Sequence, residues 1–113
     1  MSINELEVID TVPGEGKEAV KGALLTMHYE GFLENGTKFD SSIDRGTPFQ
    51  FVIGSGRVIK GWDQGIMGMK VGGKRTLRIP SHMAYGERSI GGIIPANSNL
   101  IFHVELIEVL TRD

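Results

Sequence analysis

Between Leu24 and Leu33 the apolar residues favour odd positions: Leu25, Met27, Tyr29 and Leu33. That two-residue period belongs to a strand with one face buried and one face wet. Asn35-Gly36 follows at once. Both residues tolerate positive φ, so the pair favours a tight hairpin, with Lys38 to Ser42 returning as the partner strand. A chain that opens this way must cover the apolar face of a sheet with something else. Two further stretches keep the period. From Lys74 to Ile79, Leu77 and Ile79 turn one way while Lys74, Thr76 and Arg78 turn the other. From Leu100 to Leu110, Leu100, Phe102, Val104 and Leu106 share a face opposite His103 and Glu105. Leu6 to Thr11 reads as an edge strand stopped near Pro13 and Gly14.

One stretch alone reads as helix. Val58, Trp62, Ile66 and Met69 recur at roughly helical spacing, interleaved with Gly61, Gly65 and Gly68. Each glycine lowers helix propensity by about 1 kcal/mol relative to Ala, so the helix should be short and held by packing. The fold class expected is α+β, with a twisted antiparallel sheet wrapped around one short helix.

A chain of 113 residues, 40% apolar and 23% charged, is expected to form a single domain spanning residues 1–113. The net charge of −2 provides no electrostatic pull toward nucleic acid or an anionic membrane. With no cysteine, disulfides and thiol chemistry are excluded together. MSINELEVID lacks a basic stretch followed by an apolar run, and no segment approaches membrane-spanning length. A cytoplasmic monomer is therefore expected. The 16 glycines punctuate short segments and mark turns.

Several motifs fail on their chemistry. GMKVGGKR, Gly68 to Arg75, approaches a phosphate-binding loop, but Arg75 replaces the hydroxyl that would ligate Mg²⁺, and its helix-to-strand context is reversed. His28, His82 and His103 share no metal-ligand spacing, so no metal is expected. Lys70, Lys74, Arg75 and Arg78 read as a solvated sheet face. No nucleophile elbow and no cofactor motif are present. Asn35-Gly36-Thr37 fits a glycosylation acceptor but reads here as the hairpin turn.

The aromatic residues are the feature left to explain. Tyr29, Phe39, Phe49, Trp62, Tyr85 and Phe102 lie among glycine and proline turns with few charges, the composition of a concave apolar pocket. Phe51 and Phe32 are assigned to the core instead. Asp40 directly follows Phe39, and Arg45 lies five residues on. A carboxylate among aromatics is costly unless paired. Arg45 and the Tyr29 hydroxyl are placed to pair it.

KFDSSIDR, PFQF, RVIKGWDQG, AYG, GGIIP and NLIFHVEL occur in the order found in the FKBP-type peptidyl-prolyl cis-trans isomerases, which the chain resembles over nearly its whole length. The resemblance implies an isomerase acting on X–Pro bonds of peptides and unfolded proteins, without cofactor, and inhibited by the macrolides tacrolimus and rapamycin. It assigns Asp40, Trp62, Tyr85 and Phe102 to catalysis. It assigns Tyr29, Phe39, Arg45, Phe49, Val58, Ile59, Ile90, Ile93 and Ile94 to substrate binding. Trp62 would be the pocket floor, and the Ile59 N–H and Tyr85 hydroxyl would be donors to carbonyls. Arg57, Ile90 and Ala96 depart from the best-known eukaryotic members, all at the rim. The competing reading is a prolyl-binding or chaperone-like module with little catalysis, since binding planar and twisted amides equally well gives no acceleration.

Overall fold

The computed structural model describes residues 3–111. Six strands form one antiparallel sheet: β1 (Glu7–Val12), β2 (Leu24–Leu33), β3 (Lys38–Ser41), β4 (Phe49–Val52), β5 (Lys74–Ile79) and β6 (Leu100–Leu110). The order is β1-β5-β6-β2-β3, with β4 also paired to β2. β6 runs beside all of β2, whereas β4 pairs with Leu24 to Met27 and β3 with Glu30 to Phe32. β3 and β4 therefore share one edge of β2, as a single broken strand. The break holds a one-turn helix, α1 (Ser42–Arg45). Beside that break the Ser42 hydroxyl accepts the Tyr29 N–H at 2.7 Å, taking the place of a strand partner.

The second helix, α2 (Lys60–Gly65), lies against the concave face of the sheet. Leu25, Met27, Leu77, Ile79, Leu100, Val104 and Leu106 supply the buried sheet residues beneath it. Gly61 and Gly65 are what let α2 lie this close. A Cβ on Gly61 would meet Ile79 Cδ1 and Cγ2 at 2.5 Å, and one on Gly65 would meet Leu77 Cδ2 at 2.9 Å. No helix among the described residues is long and apolar enough to cross a membrane.

Several local expectations need correction. The helix covers only Lys60–Gly65, so Val58 and Met69 lie outside it and Ile66 is its C-cap. Ile66 and Met69 are apolar because they are buried in the core, and Val58 because it lines a cavity. Phe49–Val52, α1 and a 3-10 turn at Ser81–Met83 had no sequence signal of their own, being three or four residues long. In the hairpin only Gly36 takes positive φ, at 92°, while Asn35 does not. Its N–H closes on the Leu33 carbonyl at 2.9 Å, and the Asn35 side chain accepts the Thr37 N–H. This is a three-residue loop closed by a left-handed glycine. Phe32 is not core. It lies on the outer face of β2, edge-on to His103 with ring centres 5.5 Å apart. Arg75 is not simply solvated either: it bonds Asp10 at 2.7 Å and the Gly65 and Met67 carbonyls at 2.8 and 3.1 Å. It ties the edge strand to the end of α2.

Candidate active site

A cavity of about 410 Å³ opens between α2, β3 and the segments flanking them. Its floor is Trp62, which is 6% exposed. Tyr29 meets that indole at a ring-centre distance of 4.9 Å, Phe102 at 5.1 Å and Phe49 at 5.6 Å, all near edge-on. Phe39 stands edge-on to Phe102 at 5.6 Å. Rings interlocked edge to face are a stable apolar wall, each pair adding about 0.5–1.5 kcal/mol beyond area burial. Gly56, Arg57, Val58 and Ile59 form the opposite side, and Asp40 and Tyr85 complete the lining.

Phe39 and Asp40 are neighbours in a strand, where successive side chains turn to opposite faces. Both nevertheless line the cavity. The pairing steps from Gly31↔Asp40 to Phe32↔Lys38, leaving Phe39 as an extra residue. This bulge re-aims the two side chains to one side. Gly31 is the second requirement, because a Cβ there would strike Phe102 Cε1 and Phe39 Cζ at 2.7 Å each. Sequence reasoning missed Gly31. Its signal was a glycine inside a strand.

The polar side of the cavity is a closed network. The Tyr29 hydroxyl donates to Asp40 Oδ2 at 2.5 Å, and Arg45 ion-pairs with Oδ1. Arg45 also donates to the Tyr29 oxygen at 3.1 Å, while Asp40 Oδ1 accepts the Ser41 N–H at 2.9 Å. Helix α1 places Arg45, with Ser41 capping its start by accepting the Asp44 N–H. Burial on its own pushes the Asp40 carboxyl up. The hydrogen bonds from Tyr29 and Arg45, with the Arg45 charge, overcome it and hold the group below the usual carboxylate range. The Tyr29 phenol is raised, first by burial and then by the bond to Asp40. Asp40 is thus a carboxylate at neutral pH and Tyr29 a neutral phenol.

Several donors at this cavity are unspent, the buried Trp62 Nε1–H on its floor among them. The Tyr85 hydroxyl and the Ile59 N–H have no acceptor among the described residues. Burial, then the Asp40 charge, raises the Tyr85 phenol, so it keeps its proton. No group of three or more His, Cys, Asp or Glu residues among those described converges as a metal site. An apolar, ring-walled cavity with carbonyl-seeking donors and a buffered carboxylate suits a neutral amide ligand.

Comparison with known proteins agrees. A family model described as FKBP-type peptidyl-prolyl cis-trans isomerase matches residues 15–107. The chain belongs to that family. It is 58% identical over 107 residues to the FK506-binding protein of Neisseria meningitidis serogroup A, covering 95% of this chain and 98% of that one. It is 58% identical over 98 residues to FK506-binding protein 1 of Saccharomyces cerevisiae, covering 86% of each. The crystal structure of AtFKBP13 superposes with a TM-score of 0.86 at 52% identity, covering 96% of this chain and 95% of that one. The α+β architecture is thereby the FKBP fold.

In this FKBP-type chain, nine of the thirteen residues singled out from sequence line the cavity: Asp40, Trp62, Tyr85, Phe102, Tyr29, Phe39, Phe49, Val58 and Ile59. Arg45 stands behind them, against Asp40 and Tyr29. Ile90, Ile93 and Ile94 do not line it. Ile90 and Ile94 bridge each other across a tight Gly91-Gly92 turn, both glycines at positive φ. This turn buries Ile94 in the core and leaves Ile93 57% exposed at the tip. Phe51 is core, 6% exposed beneath Trp62.

Proposed function

We propose that this protein catalyses cis-trans isomerisation of X–Pro bonds in peptides and unfolded chains, and that tacrolimus and rapamycin occupy the same cavity. The observation that carries this reading is the ring-walled cavity over Trp62 with unspent donors at it, among them the Ile59 N–H and the Tyr85 hydroxyl. Relatives named FK506-binding proteins support the macrolide part of the reading.

The barrier to rotation about a peptide bond is about 18–20 kcal/mol, because amide resonance gives the C–N bond double-bond character. Twisting breaks that resonance and withdraws charge from the carbonyl oxygen. Water therefore favours the planar amide over the twisted one, and a dry aromatic cavity removes that preference. Tyr29, Phe49, Trp62 and Phe102 grip the proline ring while the preceding carbonyl turns. The Asp40 carboxylate repels a charged carbonyl oxygen more than a depleted one, which lowers the twisted state relative to the planar one. Each tenfold in rate requires about 1.4 kcal/mol of such differential stabilisation. No covalent step is involved. We also take the chain to act as a cytoplasmic monomer, which sedimentation and cell fractionation test.

The decisive experiment follows isomerisation of short Xaa-Leu-Pro-Phe peptides with and without tacrolimus, and Trp62 fluorescence in parallel. Acceleration that the drug abolishes is expected, with a change in Trp62 emission. Folded protein leaving the peptide at its uncatalysed rate would refute catalysis. Drug binding without acceleration would identify a prolyl-binding module instead.

A further inference from the structure

Gly56, Arg57, Val58 and Ile59, one wall of the cavity, lie in the irregular crossing from β4 to α2. The crossing contains two glycines in the left-handed region, Gly54 at φ 79° and Gly56 at φ 76°. Glycine-bearing segments of this kind have many accessible backbone states, so the wall requires an external tie. At the α2 end Ile59 is held directly, its carbonyl accepting the Trp62 and Asp63 N–H at 3.0 and 3.2 Å, whereas the tie at Gly54 and Gly56 is the Asp63 side chain. Its Oδ1 accepts the Gly54 N–H at 2.9 Å and its Oδ2 accepts the Gly56 N–H at 3.0 Å. Ser55 instead donates back to the Val52 carbonyl at 2.6 Å, holding the loop to the strand it leaves. Only Asp63 joins these amides to α2.

Asp63 sits in the first turn of α2 and follows Trp62 directly. One turn of helix therefore supplies the floor through Trp62 and fixes the wall through Asp63. Both carboxylate oxygens are used on backbone amides, and charge-assisted bonds of this kind are roughly twice as strong as neutral ones. The side chain does not line the cavity.

We propose, resting on the isomerase reading above, that the Asp63 carboxylate is a positioning group: it holds the Gly54–Gly56 stretch against α2, which sets the course of the Arg57–Val58 wall into Ile59 and thereby aims the Ile59 N–H. Without it the loop samples other positions, and ligand affinity falls in proportion to the fraction of molecules still carrying a formed wall. The loss belongs in binding more than in turnover. Asp63→Ala removes both acceptors. Asp63→Asn keeps one acceptor and sets an NH₂ against the other amide. Asp63→Glu keeps both on a longer arm.

The test measures tacrolimus affinity by Trp62 fluorescence, and kcat and KM on a Leu-Pro peptide, at a temperature where every variant is folded. Asp63→Ala is expected to weaken tacrolimus about tenfold and to raise KM by a similar factor, with kcat within about twofold of wild type. Asp63→Asn should fall between and Asp63→Glu should recover most of the affinity. Val109→Ala, a core truncation on β6, provides a variant of lowered melting temperature with no link to the loop. Wild-type affinity in Asp63→Ala would overturn the proposal, as would an equal loss of affinity in Val109→Ala. An inactive wild type that binds no drug refutes the isomerase reading and this role with it. An active wild type beside an indifferent Asp63→Ala refutes the positioning role alone.

Discussion

Gly61→Ala sets two effects of opposite sign against each other. Judged by helix propensity, the change should stabilise α2 by up to about 1 kcal/mol. Judged by packing, it should do the reverse. The new Cβ would lie 2.5 Å from both Ile79 Cδ1 and Cγ2 and 2.8 Å from Cγ1, where carbon atoms prefer about 3.5–4.0 Å. Ile79 is fully buried and β-branched, so a stiff χ1 inside a filled core gives it little room to turn aside. The helix must lift, and overpacking of this kind costs about 1–3 kcal/mol. The net expectation is a loss of about 1–2 kcal/mol. At roughly 2.1 cal/mol/K of unfolding entropy per residue, that lowers the melting temperature of a chain this long by about 4–8 °C. Thermal and urea melts of Gly61→Ala, Ile79→Val and the double variant read it out. Ile79→Val removes Cδ1, so the double variant should lose less than the sum of the singles by about 1 kcal/mol. Because Trp62 follows Gly61, tacrolimus affinity should fall with the stability. A rise in melting temperature, or strict additivity in the cycle, would refute the packing argument.

Asp40→Leu should leave a folded protein with reduced but measurable isomerase activity, since Phe39, Trp62 and Phe102 still desolvate the amide; Trp62→Ala, which removes the floor, should weaken ligand binding more. Full activity in Asp40→Leu, by peptide assay beside a thermal melt, would make the Asp40–Arg45 pair purely structural. The lowered Asp40 pKa implies that this carboxylate's contribution to stability is complete above its unfolded value of about 3.9 and is lost as pH falls through the lower folded value. The stability gap between wild type and Asp40→Asn should accordingly close only below about pH 4, and a gap that varies between pH 5 and 8 would contradict the assignment. Gly31→Ala should depress drug affinity by displacing the Phe39 and Phe102 edges, and unchanged affinity would show that those rings can yield at no cost to the site.

Much of this protein is written locally. The two-residue period over 24–33, 74–79 and 100–110 coincides with β2, β5 and β6, because a half-buried strand needs no information beyond which face meets the core. The identity of the cavity rings was legible too, through their clustering among turns and the family's motif order. What remained hidden depends on partners distant in the chain. Phe39 and Asp40 share a cavity only because β3 bulges against β2, and Gly31 has meaning only once Phe102 arrives beside it from β6. Gly61 and Gly65 looked like faults in a helix until Ile79 and Leu77 were seen to occupy the space their side chains would need. Phe32 went astray for the same reason, and Ile94 joins the core and not the cavity lining. Hydrophobicity states that a residue seeks cover, whereas the sheet's register and the Gly91-Gly92 turn decide which face receives it. The sequence therefore determined the long strands β2, β5 and β6 and the chemistry of the pocket. Only long-range pairing, with the close packing it imposes, decided which side chains meet there.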